Sequence, residues 1–253
     1  MLPVLFQYNS WLLRSYDVCL CLAIAVCTLL VWHQARKEGY PRIGLAVFLI
    51  GTVIFALLGA RINGWFFWFR ENPDMLDLNI ADTRKGMTAF GGLLGAIIFA
   101  GLYSWLNRWN VWRLLDIVIP SFALGEAIQR IGCLLNGCCY GHTTKSFLGV
   151  YVPDINGIWS YRYPTQIITG LFCALLFIYL WRQRKTFPFH GALLLQYLIL
   201  YNIGRLVIDF LRGDETIAIG ILTKHQLTAT IIALTAALIM LLVFDLKTKK
   251  SGA

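Results

Sequence analysis

The chain has 253 residues, of which 58% are hydrophobic and 14% are charged, and its mean hydropathy is +0.66. Soluble domains carry about 25% charged residues, so this composition excludes an ordinary soluble protein. Stretches of roughly 20 apolar residues recur along the whole length, and each can cross a bilayer core of about 30 Å. The sequence therefore predicts an all-α, polytopic integral membrane protein.

Seven transmembrane helices are predicted in chain order, at about 16–33, 43–69, 88–106, 112–137, 165–182, 189–212 and 226–244. The first is expected to stay as an anchor, because no small-residue cleavage site followed by a polar mature chain comes after Arg14. No linker, low-complexity segment or repeat interrupts the series. Residues 1–253 are therefore predicted to form a single membrane domain.

Basic residues are concentrated in alternate connections between the predicted helices. The connections after the first, third and fifth helices and the C-terminal tail hold 11 of the 22 Lys and Arg residues: Arg36, Lys37, Arg42, Arg108, Arg113, Arg182, Arg184, Lys185, Lys247, Lys249 and Lys250. The positive-inside rule then predicts an outer N-terminus, a cytoplasmic C-terminus and extracytoplasmic loops at about 70–87, 138–164 and 213–225. Contact with anionic lipid also explains the net charge of +9, and no nucleic-acid partner is predicted.

A few ionisable residues remain inside the predicted spans, where a charged side chain costs at least about 2.5 kcal/mol. They are Asp17, Arg61, Asp116, Glu126, Arg130, Arg205 and Asp209. Asp17 and Asp116 lie near the ends of predicted spans. The pairs Glu126/Arg130 and Arg205/Asp209 are each four residues apart, so each pair shares one helix face. They are either ion pairs that hold helices together or the lining of a cavity where surplus arginine charge binds an anion.

Glycines are concentrated at the start of the third predicted helix, in the segment Gly86–Gly95 with the sequence GMTAFGGLLG. The pair Gly91 and Gly92 allows a ligand to approach the backbone and leaves amide N–H groups for a phosphate. Close packing of helices through small residues explains the same pattern equally well. Both interpretations stay open.

The segment Arg130–Gly141, with the sequence RIGCLLNGCCYG, combines a guanidinium, an amide and three thiols. Plain packing, a disulfide and a covalent role in lipid transfer are all open for Cys133, Cys138 and Cys139. The other four cysteines are predicted to be small packing residues. No His–Cys spacing resembles a zinc site, so no metal site and no cofactor are predicted.

This segment resembles the signature of the prolipoprotein diacylglyceryl transferases. Arg130, Gly132, Asn136, Gly137 and Gly141 fall on the Arg, Gly, Asn, Gly and Gly of that signature. Further matches, in the family's order, are Tyr16, the glycines Gly91, Gly92 and Gly95, the step Tyr163–Gln166, the helical set Tyr201, Arg205, Asp209 and Arg212, and Gln226. The resemblance covers most of the chain.

The resemblance implies the same seven-helix topology and a location in the bacterial cytoplasmic (inner) membrane. It also implies transfer of a diacylglyceryl group from phosphatidylglycerol to the lipobox cysteine in the signal peptide of a prolipoprotein, with loss of glycerol phosphate. Catalytic roles are then expected for Arg130, Arg205, Glu126 and Asp209. Substrate binding is expected of Tyr16, Arg61, Gly91, Gly92, Asn136, Gly137, Gly141 and Tyr201.

Three positions differ from the family pattern. Phe90 stands where the family has the histidine before Gly-Gly, Cys133 replaces an asparagine and Cys138 replaces a glutamate. A transferase with a different acceptor is therefore an alternative, as is a non-covalent lipid or anion transporter or scramblase, since intramembrane charges also mark substrate paths. A thiol oxidoreductase is a weaker alternative, because the cysteines are adjacent rather than in a C-x-x-C motif.

Overall fold

The computed structural model describes residues 4–8, 11–71, 86–153, 157–186, 189–213, 217–219 and 222–251. Its helices are α1 (Ser15–Lys37), α2 (Arg42–Glu71), α3 (Ala89–Leu106), α4 (Val111–Asn136), α5 (Thr165–Gln183), α6 (Ala192–Asp209) and α7 (Lys224–Ser251). Three antiparallel pairs of strands accompany them: β1 (Val4–Tyr8) with β2 (Trp11–Arg14), β3 (Val150–Pro153) with β4 (Trp159–Arg162), and β5 (Ile217–Ile219) with β6 (Leu222–Thr223). Each of the seven predicted helices is thus present. The predicted loop at 70–87 lies largely outside the described residues.

Within the described residues, six helices are long and apolar enough to cross a membrane: α1, α2, α3, α5, α6 and α7. The helix outside this set, α4, carries Arg113, Asp116, Glu126 and Arg130 and contains Pro120. These charges lower its average hydropathy without shortening it. The chain is an all-α, multi-pass membrane protein.

The chain divides into two compact units, one formed by Met1–Val31 with Leu115–Ala253 and the other by Trp32–Leu114. In the first unit, α4, α5 and α6 share an apolar core made of Ile119, Ala123, Leu176, Leu180, Leu193 and Tyr197. A second core joins α6 to α7 through Phe189, Ala192, Leu195 and Ala236. These cores hold α4 and α6, which carry four of the predicted catalytic residues.

Asp116, which was expected near a span end, caps the beginning of α6. Its Oδ2 accepts a hydrogen bond of 2.6 Å from the Gly191 amide, and its Oδ1 accepts one of 3.1 Å from the Leu194 amide. The first amides of a helix have no partner within the helix, and a carboxylate there is also attracted to the positive end of the helix dipole. The buried charge of Asp116 therefore fixes where α6 starts relative to α4.

The last helix begins with a reciprocal cap. The backbone N–H of Gln226 donates to Thr223 Oγ1 at 3.2 Å, and the backbone N–H of Thr223 donates to Gln226 Oε1 at 2.9 Å. This is the capping-box arrangement, which satisfies two otherwise unpaired donors. The glutamine that matches the family at this position therefore has a structural role in starting α7.

Candidate active site

Arg130 and Glu126 form the ion pair that their spacing on α4 predicts. Arg130 Nη2 lies 3.3 Å from Glu126 Oε2, and the Tyr201 hydroxyl on α6 donates to the same oxygen at 3.1 Å. The Arg130 Nε atom is buried and has no hydrogen-bond partner in the described part of the chain. A buried donor without a partner is costly, so this atom is available to an acceptor such as a phosphate oxygen.

A second charged group lies at the C-terminal end of α6. Asp209 is nearly inaccessible and lies 3.2 Å from Arg205 Nη2 and 3.7 Å from Arg212 Nη1. Sequence reasoning named Arg205 and Asp209 as site residues but not Arg212. The signal for Arg212 was its match to the family pattern three residues after Asp209; it lies just beyond the end of α6 and still reaches that carboxylate.

The two charged groups meet near Tyr201. The guanidinium groups of Arg130 and Arg205 both lie within electrostatic range of the Tyr201 hydroxyl. Three guanidinium groups stand against the two carboxylates of Glu126 and Asp209. A surplus positive charge in a poorly solvated site favours an anionic ligand.

Tyr16 reaches this region because α1 packs closely on α4. A Cβ atom built on Gly132 would lie 2.9 Å from Cys19 Cβ and 3.4 Å from the Tyr16 Cα. Only glycine allows this approach without displacing α1. The Tyr16 hydroxyl consequently interacts electrostatically with the thiols at the C-terminal end of α4 and just after it.

The C-terminal end of α4 is a Schellman motif. Gly137 adopts a positive φ of 75°, its amide donates to Leu134 O at 3.4 Å, and the Cys138 amide donates to Cys133 O at 3.2 Å. This pattern of bonds turns the chain back over the last helical turn. The motif thereby brings the side chains of Cys133 and Cys138 together.

Cys139 completes a cluster of three thiols, Cys133, Cys138 and Cys139, hereafter the thiol cluster. Their Sγ atoms all lie within 4.8 Å of one another. Cys139 itself has a positive φ of 60°. Hydrogen bonds from Cys133 and Cys138, together with the charges of Arg212 and Arg130, lower the pKa of the Cys139 thiol against the opposing effect of burial. The prediction of no metal site was based on His–Cys spacing alone, and spacing does not indicate that these three sulfur atoms come together.

Hydrogen bonds to α5 hold the backbone of the thiol cluster. Thr165 Oγ1 donates to Cys139 O at 2.7 Å, and Gln166 Nε2 donates to Cys138 O at 2.9 Å. The Asn136 side chain also lies near the Cys138 thiol. Thr165 and Gln166 belong to the tetrapeptide that resembles the family, and their role is to fix this loop.

Gly141 lies where three chain segments converge. Its amide donates to Tyr163 O at 3.2 Å, and it forms a β-bridge with Arg212. A Cβ atom at this position would collide with the Tyr163 carbonyl oxygen and would lie 2.9 Å from Leu211 O. The structure thus brings Asn136, Gly137 and Gly141 to the same end of the first unit as Arg212.

Arg61, Gly91 and Gly92 lie in the second unit, on α2 and α3. The Gly91 amide donates to Thr88 Oγ1 at 3.2 Å, and the Gly92 amide donates to Thr88 O at 3.1 Å. A Cβ atom on Gly91 would collide with the Gly59 carbonyl oxygen. Helix packing therefore accounts for Gly91, and the binding role of both glycines stays a prediction.

Comparison with known proteins places these features in a family. The family model described as prolipoprotein diacylglyceryl transferase matches residues 3–242. A phosphatidylglycerol–prolipoprotein diacylglyceryl transferase of Clostridium tetani is 32% identical over 89% of this chain and 91% of its own length. A second such transferase of Clostridium perfringens is 34% identical, covering 84% of both chains, and one of Dehalococcoides mccartyi is 31% identical, covering 92% of this chain and 90% of its own. The chain belongs to the prolipoprotein diacylglyceryl transferase family.

Proposed function

We propose that this protein moves the diacylglyceryl group of phosphatidylglycerol to the thiol of a lipobox cysteine in a prolipoprotein and releases glycerol phosphate. The observation that carries the proposal is that the guanidinium groups of Arg130 and Arg205 both act electrostatically on the Tyr201 hydroxyl. The reaction breaks a carbon–oxygen bond and leaves a phosphate dianion. Fixed positive charges at that phosphate stabilise the transition state more than the ground state.

Each charged residue has a distinct role in this proposal. Arg130 and Arg205 bind the phosphate, since the planar guanidinium fork matches two phosphate oxygens at once. Glu126 and Asp209 hold the two guanidinium groups at 3.3 Å and 3.2 Å. With these partners in place, the arginines need little reorganisation when the lipid binds.

The remaining predicted residues orient the substrates. Tyr16, Asn136 and Tyr201 contribute polar groups for the lipid head group and the peptide, and Gly137 and Gly141 shape the loop that carries them. Arg61 is assigned to the substrate path as a charge inside a predicted span, and Gly91 and Gly92 are assigned to it because a ligand can approach their backbone and because they match the family. Their position in the second unit neither adds to this assignment nor removes it.

The proposal includes a topology. The chain forms a single membrane domain in the bacterial cytoplasmic membrane, with α4 as a seventh span whose Glu126 and Arg130 belong to the site. The N-terminus lies outside and the C-terminus lies in the cytoplasm. Loops at about 70–87, 138–164 and 213–225 face outward, where the lipobox cysteine arrives. The distribution of Lys and Arg supports this orientation.

The test is transfer by the purified protein. Phosphatidylglycerol labelled in its acyl chains and a lipobox peptide are incubated with the protein in vesicles, and the peptide is analysed by mass spectrometry. We expect a thioether-linked diacylglyceryl adduct on the cysteine peptide and none on a peptide with serine at that position. Absence of the adduct with folded, membrane-inserted protein would overturn the proposal.

Charge-conserving substitutions test the two arginines. Arg130→Lys and Arg205→Lys keep the charge but lose the fork, so each should lower the transfer rate on the order of 100-fold. Arg182→Lys is the matched control, because Arg182 is exposed at the end of α5. If both site variants retain the full rate, the arginines are only structural partners of Glu126 and Asp209.

A further inference from the structure

The thiol cluster has the geometry of a trigonal ligand set. A Zn–S bond is about 2.3 Å long, so sulfurs bound to one tetrahedral Zn²⁺ lie about 3.8 Å apart. The Sγ atoms of Cys133, Cys138 and Cys139 lie within 4.8 Å of one another. Closing that separation takes sulfur movements of about 1 Å or less, which rotation about χ1 can supply without moving the backbone.

The cluster is held in place by backbone interactions rather than by chance packing. The Schellman motif joins Cys133 to Cys138, and hydrogen bonds from Thr165 and Gln166 fix the carbonyl groups of Cys139 and Cys138. A ligand set that is already assembled loses little conformational entropy when it binds a metal ion. Three thiolates favour a soft ion such as Zn²⁺ over Mg²⁺ or Ca²⁺.

The charges around the cluster suit a thiolate–metal complex. Three thiolates and one Zn²⁺ together carry one net negative charge. The guanidinium groups of Arg130 and Arg212 both act electrostatically on Cys139, and that of Arg130 also interacts with Cys133. These positive charges stabilise an anionic complex in a poorly solvated region.

The acceptor thiol needs a means of deprotonation, because the thiolate is the nucleophile. The nearby carboxylates of Glu126 and Asp209 are each engaged with an arginine. A three-ligand zinc site keeps a fourth position open, and a thiol that coordinates zinc loses its proton. Zinc at the thiol cluster therefore supplies the activation that these carboxylates do not.

We propose that Cys133, Cys138 and Cys139 bind one Zn²⁺, and that the acceptor cysteine of the incoming peptide is its fourth ligand. The metal site stands on the geometry of the three sulfurs. The identity of the fourth ligand rests on the proposed function. Tyr16 lies within electrostatic range of all three thiols, so the metal is next to a residue assigned to substrate binding.

The acceptor thiol gives its proton to solvent when it coordinates Zn²⁺. Its sulfur electron pair attacks the glycerol carbon of the lipid, and a carbon–sulfur bond forms as the carbon–oxygen bond to phosphate breaks. The electron pair of that bond leaves with the phosphate oxygen as the glycerol phosphate dianion, next to Arg130 and Arg205. The neutral thioether is a weak ligand and leaves the metal.

Metal content tests the site without any reference to catalysis. Full-length protein is purified under reducing conditions, incubated with Zn²⁺, desalted and analysed by elemental mass spectrometry. We expect about one Zn²⁺ per chain in the wild type and less than about a tenth of that in Cys133→Ser, Cys138→Ser and Cys139→Ser. Cys21→Ser is the matched control, since Cys21 is an exposed thiol on α1, and it should retain the metal.

Two results of that measurement would overturn the metal site. One is wild-type protein that is monodisperse and thermally stable yet holds no Zn²⁺. The other is Zn²⁺ that persists at the wild-type level in folded variants of all three cysteines. The Zn²⁺ content of the wild-type protein tests the site even if a cysteine variant does not fold.

Cobalt substitution tests the fourth ligand. The protein is loaded with Co²⁺, and its thiolate-to-metal absorption is recorded before and after addition of the lipobox peptide. We expect an increase of about one third with the cysteine peptide, as three Co–S bonds become four, and no change with the serine peptide. Equal spectra with both peptides would show that the acceptor is not a ligand.

Chelation separates this inference from the proposed function. If metal-free protein transfers the diacylglyceryl group at the wild-type rate, the zinc role is wrong and the transferase function stands. If the metal binds at the three cysteines and coordinates the peptide thiol while no transfer occurs, the proposed function fails and the site stands. We expect transfer to fall at least 10-fold on chelation and to return with Zn²⁺.

Discussion

Glu126 joins two helices through a single carboxylate oxygen. Its Oε2 lies 3.3 Å from Arg130 Nη2 on α4 and accepts a 3.1 Å hydrogen bond from the Tyr201 hydroxyl on α6. Removal of one member of a partly buried charged network leaves the others incompletely solvated. The position of Arg130 therefore depends on Tyr201, although the two side chains need not touch.

Tyr201→Phe tests this dependence. The change removes one hydrogen bond to a charged acceptor and keeps the ring that stacks on Tyr197 at 5.2 Å. We expect kcat/KM for phosphatidylglycerol to fall about 10-fold, which corresponds to about 1.4 kcal/mol of lost stabilisation. Tyr179→Phe is the control, because Tyr179 is exposed and its hydroxyl bonds only to the Gln196 side chain in the described part of the chain. Equal losses in both variants would contradict a positioning role for Tyr201.

Sequence spacing predicted the ion pairs but not the thiol cluster. The intervals between Glu126 and Arg130 and between Arg205 and Asp209 are one helical turn, so regular geometry alone brings them together. The thiols converge only because the chain turns at Gly137 and because Cys139 adopts a left-handed conformation. An Asn-Gly step at a helix end is a signal for such a turn, whereas nothing in the sequence indicates the backbone angle of Cys139.

At the level of elements, a buried carboxylate connects α4 with the start of α6. Asp116 accepts two backbone hydrogen bonds from Gly191 and Leu194, in a place that water does not reach. We expect Asp116→Ala to lower the free energy of unfolding by about 1–2 kcal/mol, because the first amides of α6 lose their acceptor. Thermal denaturation in detergent measures this as a lower Tm.

Glu38→Ala provides the comparison for Asp116. Glu38 makes two 2.7 Å contacts with Arg113, but the pair is exposed to solvent, so its loss should cost less than about 1 kcal/mol. We expect the Asp116 variant to have the lower Tm of the two. The reverse order would mean that the α6 cap contributes little to stability.

Apolar runs were sufficient to locate the helices, while their ends were set by features outside the runs. Helix α1 was predicted at 16–33 and extends over Ser15–Lys37, since basic residues continue a helix into a polar region as easily as apolar ones. The prediction began α6 at 189, whereas the helix begins at Ala192, where Asp116 supplies the cap. Asp116 precedes Gly191 by 75 residues, so the sequence near the start of α6 gives no signal of this contact.

At the level of the whole molecule, the strongest sequence signal is the asymmetry of charge. The tail and the connections after the first, third and fifth helices hold half of all Lys and Arg residues. Translocation of such segments across the membrane is disfavoured, so they are predicted to stay in the cytoplasm. The loop after α4, which begins next to the thiol cluster, is then predicted to lie on the opposite side from the loop after α5.

Cysteine labelling in intact cells tests that arrangement. Lys145→Cys and Lys185→Cys both introduce a thiol at an exposed position, the first in the loop after α4 and the second just after α5. Each is made in a Cys21→Ser background, and labelling above that background is measured with a membrane-impermeant maleimide. We expect Lys145→Cys to react in intact cells, and Lys185→Cys to react only after the membrane is permeabilised, because α5 crosses the bilayer once between them. Labelling of both positions from the same side would contradict the seven-span topology, and it would also place the thiol cluster where an outer acceptor cysteine does not reach it.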